Sequence, residues 1–137
     1  MKRTLIHNAT IVNEGHSVQG SIVIENGKIA EVLTYGKELS APCDETIDAT
    51  GCCLLPGIID DHVHFRDPGF TYKEDIHTGA KASAKGGFTT VICMANTSPT
   101  VDNTDTLKDT LARASKEDIR IFQAAAISRS LKGRDEV

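Results

Sequence analysis

Gly57-Ile58-Ile59-Asp60-Asp61-His62-Val63-His64-Phe65-Arg66-Asp67-Pro68-Gly69 decides how the rest of the chain is read. Ile58 and Ile59 are β-branched and apolar, which suits a buried strand. Asp67-Pro68-Gly69 has the composition of a turn at its end. Side chains on a strand alternate faces with period two. On that period Asp60, His62, His64 and Arg66 share one face, and Asp61, Val63 and Phe65 the other. A carboxylate, two imidazoles and a guanidinium in one row cost several kcal/mol to bury without partners, so something polar must meet them. A divalent metal satisfies two of the four. Neutral imidazole is a common ligand for zinc and other first-row ions, and two His at i and i+2 lie roughly 6.5–7 Å apart along a strand. His62 and His64 are therefore the candidate metal ligands. Asp60 is a candidate acceptor that orients an imidazole from behind. An isolated His-x-His is most often a pair of surface residues; the apolar residues before this one and the charges in register with it favour the metal.

Outward from that stretch, the chain after Gly57 alternates strands with helices, the pattern of βα units on a parallel sheet. The first strand runs from Ile58 to about His64, and a loop from Arg66 to Asp75 leads to a helix over roughly Ile76–Lys85. Gly86-Gly87 ends that helix. Phe88–Cys93 is the second strand, and the loop after it runs from Met94 to Asn103. Asp102 or Asn103 caps a second helix, whose apolar face is Leu107, Leu111 and Ala114 at i, i+4, i+7. Ile119–Ala126 is the third strand.

Before Gly57 the pattern is β-rich. Thr4–His7 and Thr10–Val12 are short strand candidates separated by Asn8-Ala9. Ser21–Glu25 and Lys28–Val32 flank Asn26-Gly27, the strongest short-range hairpin signal, because both central residues of a type I′ turn need positive φ. Thr46–Asp48 and Cys52–Leu55 follow a looser segment. A small sheet of this kind needs more strands or a partner to bury its apolar face. His7, His16 and His77 read as surface or edge positions.

The formal net charge of −4, with no basic run, argues against nucleic acid as a partner. No apolar stretch approaches the ~20 residues of a membrane span, so no membrane partner is expected. No apolar segment follows Lys2-Arg3, so the start is not a signal peptide. Cys43, Cys52, Cys53 and Cys93 lack CxxC spacing and read as reduced thiols of a cytoplasmic protein.

In parallel α/β folds the ligand site lies at the carboxyl ends of the strands. His62, His64 and Arg66 end the first strand and Asn96 follows the second. A metal-assisted hydrolase needs an ion to polarise a carbonyl, a group to move protons to the leaving nitrogen, and a cation for any substrate carboxylate. Arg66 suits the last in bidentate geometry. Asn96 offers a donor and an acceptor to an amide-like ring.

Asp60-x-His62-x-His64 after Leu55-Pro56-Gly57-Ile58-Ile59 resembles the first metal-binding strand of the amidohydrolase superfamily. The longer string His62 to Gly69 is similar to the dihydroorotases, as is Gly86-Gly87-Phe88-Thr89-Thr90-Val91 with Met94-Ala95-Asn96-Thr97-Ser98-Pro99. The resemblance implies an α/β fold: the N-terminal part of a (β/α)8 TIM-like metal-dependent hydrolase barrel, preceded by a small β-sandwich segment. Residues 1–56 correspond to part of the flanking sandwich, and residues 57–137 to the first three strands and two helices of the barrel. That stretch is about a third of the roughly 250 residues a (β/α)8 barrel takes, so the chain is expected to be an N-terminal fragment, inactive and poorly folded alone.

The resemblance further implies interconversion of L-dihydroorotate and N-carbamoyl-L-aspartate in pyrimidine synthesis at a binuclear Zn2+ centre. His62 and His64 match its first metal pair, and His64, Arg66 and Asn96 match substrate contacts. The bridging ligand, later histidines and proton-shuttling aspartate belong to later strands, so no catalytic acid or base is expected in this chain. A homodimer stays open. So do two other readings: an allantoinase or dihydropyrimidinase, which typically lack an arginine at the position of Arg66, and an inactive homologue serving as a partner subunit.

Overall fold

The computed structural model describes residues 2–135; Val137, with which the second segment was read to end, lies outside them. The described residues divide at Pro56–Gly57 into two compact units.

The first unit is one sheet. Its strands are β1 (Arg3–Asn13), β2 (His16–Glu25), β3 (Lys28–Thr34), β4 (Glu45–Asp48) and β5 (Cys53–Leu54). The order is β3-β2-β1-β4, with β5 also on β1. The β1–β2 and β2–β3 pairs are antiparallel; β4 and β5 run parallel to β1. Asn26 and Gly27 take φ of 53° and 72°, as the type I′ hairpin requires. The break expected at Asn8-Ala9 is instead a bulge within one strand: Ile6 pairs Ile22 and Ala9 pairs Gly20, so two residues of β1 oppose one of β2. Asn8 supplies the left-handed residue at φ 62°, a conformation that Asn tolerates. The second strand also starts earlier than expected, at His16, because β1 pairs with its first half from His16 to Gly20. Arg3 donates to Glu25 at 3.0 Å and to Glu31 at 2.5 Å, tying together three strands.

The second unit has β6 (Ile58–Val63), α1 (Ile76–Lys85), β7 (Phe88–Cys93), α2 (Thr104–Ala114) and β8 (Arg120–Gln123). Its strands form a parallel sheet in the order β6-β7-β8. α1 packs on β7, α2 on β8, and the helices touch each other. Phe65, Val91 and Cys93 are its buried centre, with Val63, Phe88, Ile119 and Ile121 against them. Ala95, Val101 and Ala126 form a second cluster beneath the loops.

Local chemistry sets the helix ends. Asp75 Oδ1 accepts from Thr78 N–H at 2.7 Å, and Thr78 Oγ1 accepts in return from the Asp75 N–H, a capping box that satisfies two donors. Gly86 caps the far end, and Gly87 follows at φ 84°. Asn103, not Asp102, caps α2 by accepting from Thr106 N–H at 2.9 Å.

Three details differ from the sequence pattern. Thr110 and Ala114 are the buried residues of α2, while Leu111 is 39% exposed; Thr110 is admitted because its hydroxyl donates to the Thr106 carbonyl at 2.9 Å. The third strand stops at Gln123, whose amide donates to the carbonyls of Cys93 and Ala124. Ile58 and Ile59, expected inside, are 49% and 66% exposed, because β6 is an edge strand of the described sheet and the helices pack on β7 and β8 instead.

Candidate active site

Register decides what β6 presents. Asp60 pairs with Val91 and Val63 with Cys93. Three steps on β6 therefore match two on β7, and β6 carries an extra residue between Asp60 and Val63. A one-residue slip moves every later side chain to the opposite face. Asp60 thus leaves the row expected to contain both imidazoles. Its Oδ1 instead accepts from the backbone N–H of His62 at 3.0 Å. The expected contact from Asp60 to an imidazole is not formed.

His64 follows the last residue of β6, and the strand hydrogen bonds end with Met94 N–H donating to the Val63 carbonyl at 2.9 Å. The rings of His62 and His64 meet edge to face, with centroids 5.2 Å apart and planes at 65°. On the neighbouring strand end, Asn96 Oδ1 lies 2.8 Å from His64 Nδ1. Asn96 Oδ1 has only lone pairs, so Nδ1–H donates and the Nε2 lone pair stays free. Asn96, expected to touch a substrate, here meets the His64 ring through its Oδ1.

His62, His64 and Asn96 line one cleft of about 390 Å³ at the carboxyl end of the sheet, walled by Met94, Ile127 and Leu131. Arg66 is not among its lining residues. The expected period breaks there: the strand has ended, and Arg66 sits at φ 63°, a left-handed conformation uncommon outside glycine. The guanidinium of Arg66 has no hydrogen-bond or ion-pair partner among the described residues. The structure therefore brings three of the five expected residues together and sets Arg66 at the start of the adjoining loop.

That loop is anchored by residues that the sequence reading treated only as a turn. Asp67 is 9% exposed. Its Oδ1 receives Arg113 Nη1 of α2 at 2.5 Å, and its Oδ2 receives the N–H of Ile76, the first residue of α1, at 3.3 Å. Ser98 N–H donates to the Pro68 carbonyl at 3.1 Å. Gly69, at φ 92°, lets the two loops touch: a Cβ there would fall 1.8 Å from the Ser98 carbonyl oxygen. The loop carrying Arg66 and the loop carrying Asn96 are thus fastened to each other. The one hint in the sequence was Asp67-Pro68-Gly69 itself, whose turn chemistry hid a buried carboxylate.

Among the described residues no group of three His, Cys, Asp or Glu converges as a metal set. No helix there is long and apolar enough to cross a membrane. Thr89 and His77 stand apart from the cleft; His77 pairs with Glu117 at 3.0 Å.

Comparison with known proteins bears on this geometry. The family model described as dihydro-orotase-like matches residues 51–134. A dihydroorotase of Streptococcus thermophilus is 44% identical over 96% of this chain, which corresponds to 31% of that protein. One from Clostridioides difficile is 44% identical over 97% of the chain and 32% of its own length. The chain thus spans about a third of the length of the curated relatives it matches. Among solved structures, an L-hydantoinase (dihydropyrimidinase) of Arthrobacter aurescens superposes with a TM-score of 0.78 at 22% identity, over 93% of this chain and 28% of that one. A D-hydantoinase (dihydropyrimidinase) from Thermus sp. superposes with a TM-score of 0.69 at 32% identity, over 91% of this chain and 28% of that one.

Proposed function

The chain belongs to the dihydro-orotase-like family, and from that premise we propose that the protein hydrolyses L-dihydroorotate reversibly to N-carbamoyl-L-aspartate with the help of bound zinc. The observation that carries this reading is the cleft at the strand ends, where two imidazoles lie edge to face and one has its Nε2 lone pair left free. Imidazoles with a free ring nitrogen fit a zinc ion, but two of them supply only half of a four-coordinate donor set. A four-coordinate ion there would need two further donors. A divalent ion held there supplies Lewis acidity toward a cyclic amide carbonyl.

The chain's own residues do the rest of what is assigned to them. His62 and His64 hold the ion, and Asp60 steadies His62 through its backbone. Arg66 supplies a cation two residues past His64, unpaired among the described residues and suited to a substrate carboxylate. Asn96 has its Nδ2 group left to donate to the substrate ring. The finer reading of the fold belongs to the same proposal: β6, β7 and β8 are the first strands of a (β/α)8 barrel, and β1–β5 belong to a flanking sandwich.

A hydantoinase-type activity is the competing reading, since solved hydantoinases share this fold. Arg66 separates the two. Dihydrouracil and allantoin carry no ring carboxylate, and a desolvated guanidinium without one is unfavourable. The test is steady-state kinetics of the gene's full-length product and its Arg66→Met variant on dihydroorotate, dihydrouracil and allantoin. The parent should prefer dihydroorotate by orders of magnitude in kcat/KM. Arg66→Met should lose about 2–5 kcal/mol of that preference, the cost of breaking a desolvated charge pair. Turnover of dihydroorotate within threefold of the parent would refute the clamp. Retention of zinc by a His62→Ala, His64→Ala double variant would refute the metal assignment.

A further inference from the structure

We infer that Asn96 is a positioning residue: it holds His64 in the tautomer that carries its proton on Nδ1 and offers Nε2 to a metal. The inference rests on the metal reading above and adds to it the residue that presets the ligand.

An isolated imidazole in water favours the opposite tautomer, with the proton on Nε2. A ring used through Nε2 must therefore be held against that preference. Metal-binding imidazoles commonly give the other N–H to a carboxylate, a carbonyl or water. Asp60 looked like that acceptor on strand periodicity. The extra residue in β6 removes it from the row, and its carboxylate is engaged by the His62 backbone. Asn96 Oδ1, 2.8 Å from His64 Nδ1, stands in its place.

The contact is built rather than incidental, because both loops are fixed independently of it. On one side, Phe65 directly after His64 is buried, and Asp67 is bound by Arg113 and the start of α1. On the other, Thr97 and Val101 N–H both donate to the Ala95 carbonyl, and Thr97 Oγ1 donates to the Pro99 carbonyl at 2.7 Å. Ser98 then joins the two loops through the Pro68 carbonyl. Asn96 thus projects from a closed turn toward a ring on a fixed strand end. With the proton on Nδ1, the amide of Asn96 presents Oδ1 to it, since a flipped amide would set N–H against N–H. Its Nδ2 is thereby left for a ligand in the cleft. One side chain links the orientation of the metal ligand to the donor that meets a substrate.

The experiment uses the gene's full-length product, 15N-labelled at histidine and freed of metal, at a pH where the rings are neutral. Long-range 1H–15N spectra identify which nitrogen of His64 carries the proton, with His64→Gln used for assignment. The parent should show Nδ1–H. Asn96→Leu should shift His64 toward the Nε2–H form and weaken zinc binding about 10- to 100-fold. Asn96→Asp keeps an acceptor oxygen, and should retain both the tautomer and zinc affinity while losing the Nδ2 donor. An Nε2–H ring in the parent, or a spectrum unchanged in Asn96→Leu, overturns the inference. The readout is independent of catalysis. If the tautomer behaves as expected while dihydroorotate is not turned over, the substrate assignment fails and this inference stands. The reverse result sinks this inference alone.

Discussion

Arg113→Met should loosen the loop that carries Arg66 more than Asp67→Asn does, although the two changes break the same ion pair. Asp67 is nearly buried and has one cationic partner, Arg113 Nη1 at 2.5 Å; its other contact is the longer bond from Ile76 N–H at 3.3 Å. Arg113 has a second carboxylate: its Nε and Nη2 reach Asp109 at 3.1 and 3.0 Å. Removing Arg113 therefore strands a buried carboxylate, whereas removing the charge of Asp67 leaves a guanidinium still paired. Breaking a fully buried pair from one side costs about 3–5 kcal/mol. The Arg113 side chain is 34% exposed, so water reaches that side of Asp67 and lowers the figure to about 2–3 kcal/mol. Asp67→Asn keeps the shape and an acceptor for Ile76, and loses the charge-assisted part of one bond, about 1–2 kcal/mol.

The assay is hydrogen exchange by mass spectrometry on peptides covering residues 66–78 of the gene's full-length product. Local opening free energy sets the exchange rate there. Two to three kcal/mol corresponds to roughly 30- to 150-fold faster exchange for Arg113→Met, at about 1.4 kcal/mol per factor of ten. The double variant should lose less than the sum of the two single changes, as expected for residues in contact. Acceleration below threefold in Arg113→Met, or a larger effect in Asp67→Asn, would refute the reasoning.

Two further outcomes follow from packing. Gly79→Ala should destabilise the protein by about 1–2 kcal/mol, although Ala favours a helix interior by about 1 kcal/mol: a Cβ there would fall 2.6 Å from the Phe65 ring, which is buried, and overpacking of that kind costs about 1–3 kcal/mol. A raised unfolding midpoint would show that Phe65 does not pack against α1. Cys93 should resist iodoacetamide at pH 8 in the native protein while Cys52 and Cys53 are alkylated, since burial pushes the Cys93 thiol up to about 11 and the other two are exposed; only the thiolate reacts, and rapid native-state labelling of Cys93 by peptide mapping would contradict its burial.

What was legible in the sequence is what depends on neighbours along the chain. The bounds of α1 and β7 came out as the pattern indicated, because Asp75, Gly86-Gly87 and the β-branched run Thr89 to Ile92 act within a few residues of themselves. The Asn26-Gly27 hairpin is equally local. The start of β2 was not legible, because Val18 is the one apolar strand former between Ser17 and Gly20 and the stretch becomes strand by pairing with Ala9 to Val12. At the site the same division holds. His62 and His64 stood out as two imidazoles at the end of an apolar strand, and the structure places both in one cleft.

Their partners are another matter. Asn96 is 32 positions from His64, and Arg113 is 46 from Asp67. Each contact exists only because β6 lies beside β7 and α2 lies over the loop between them. Strict alternation assumes an unbroken ladder; this one is irregular between Ile58 and Ile59, and near the imidazoles it breaks twice more, by the extra residue between Asp60 and Val63 and by the left-handed turn at Arg66. Both breaks fall beside the imidazoles. A regular strand would have left Asp60 in their row and carried Arg66 along the same face. The bulge instead gives the carboxylate to the His62 backbone and leaves His64 Nδ1 to Asn96. The residue that steadies the ring therefore comes from the loop after β7, which ties the geometry of the imidazole to the β6–β7 register. A substitution that shifts that register should disturb His64 without touching it.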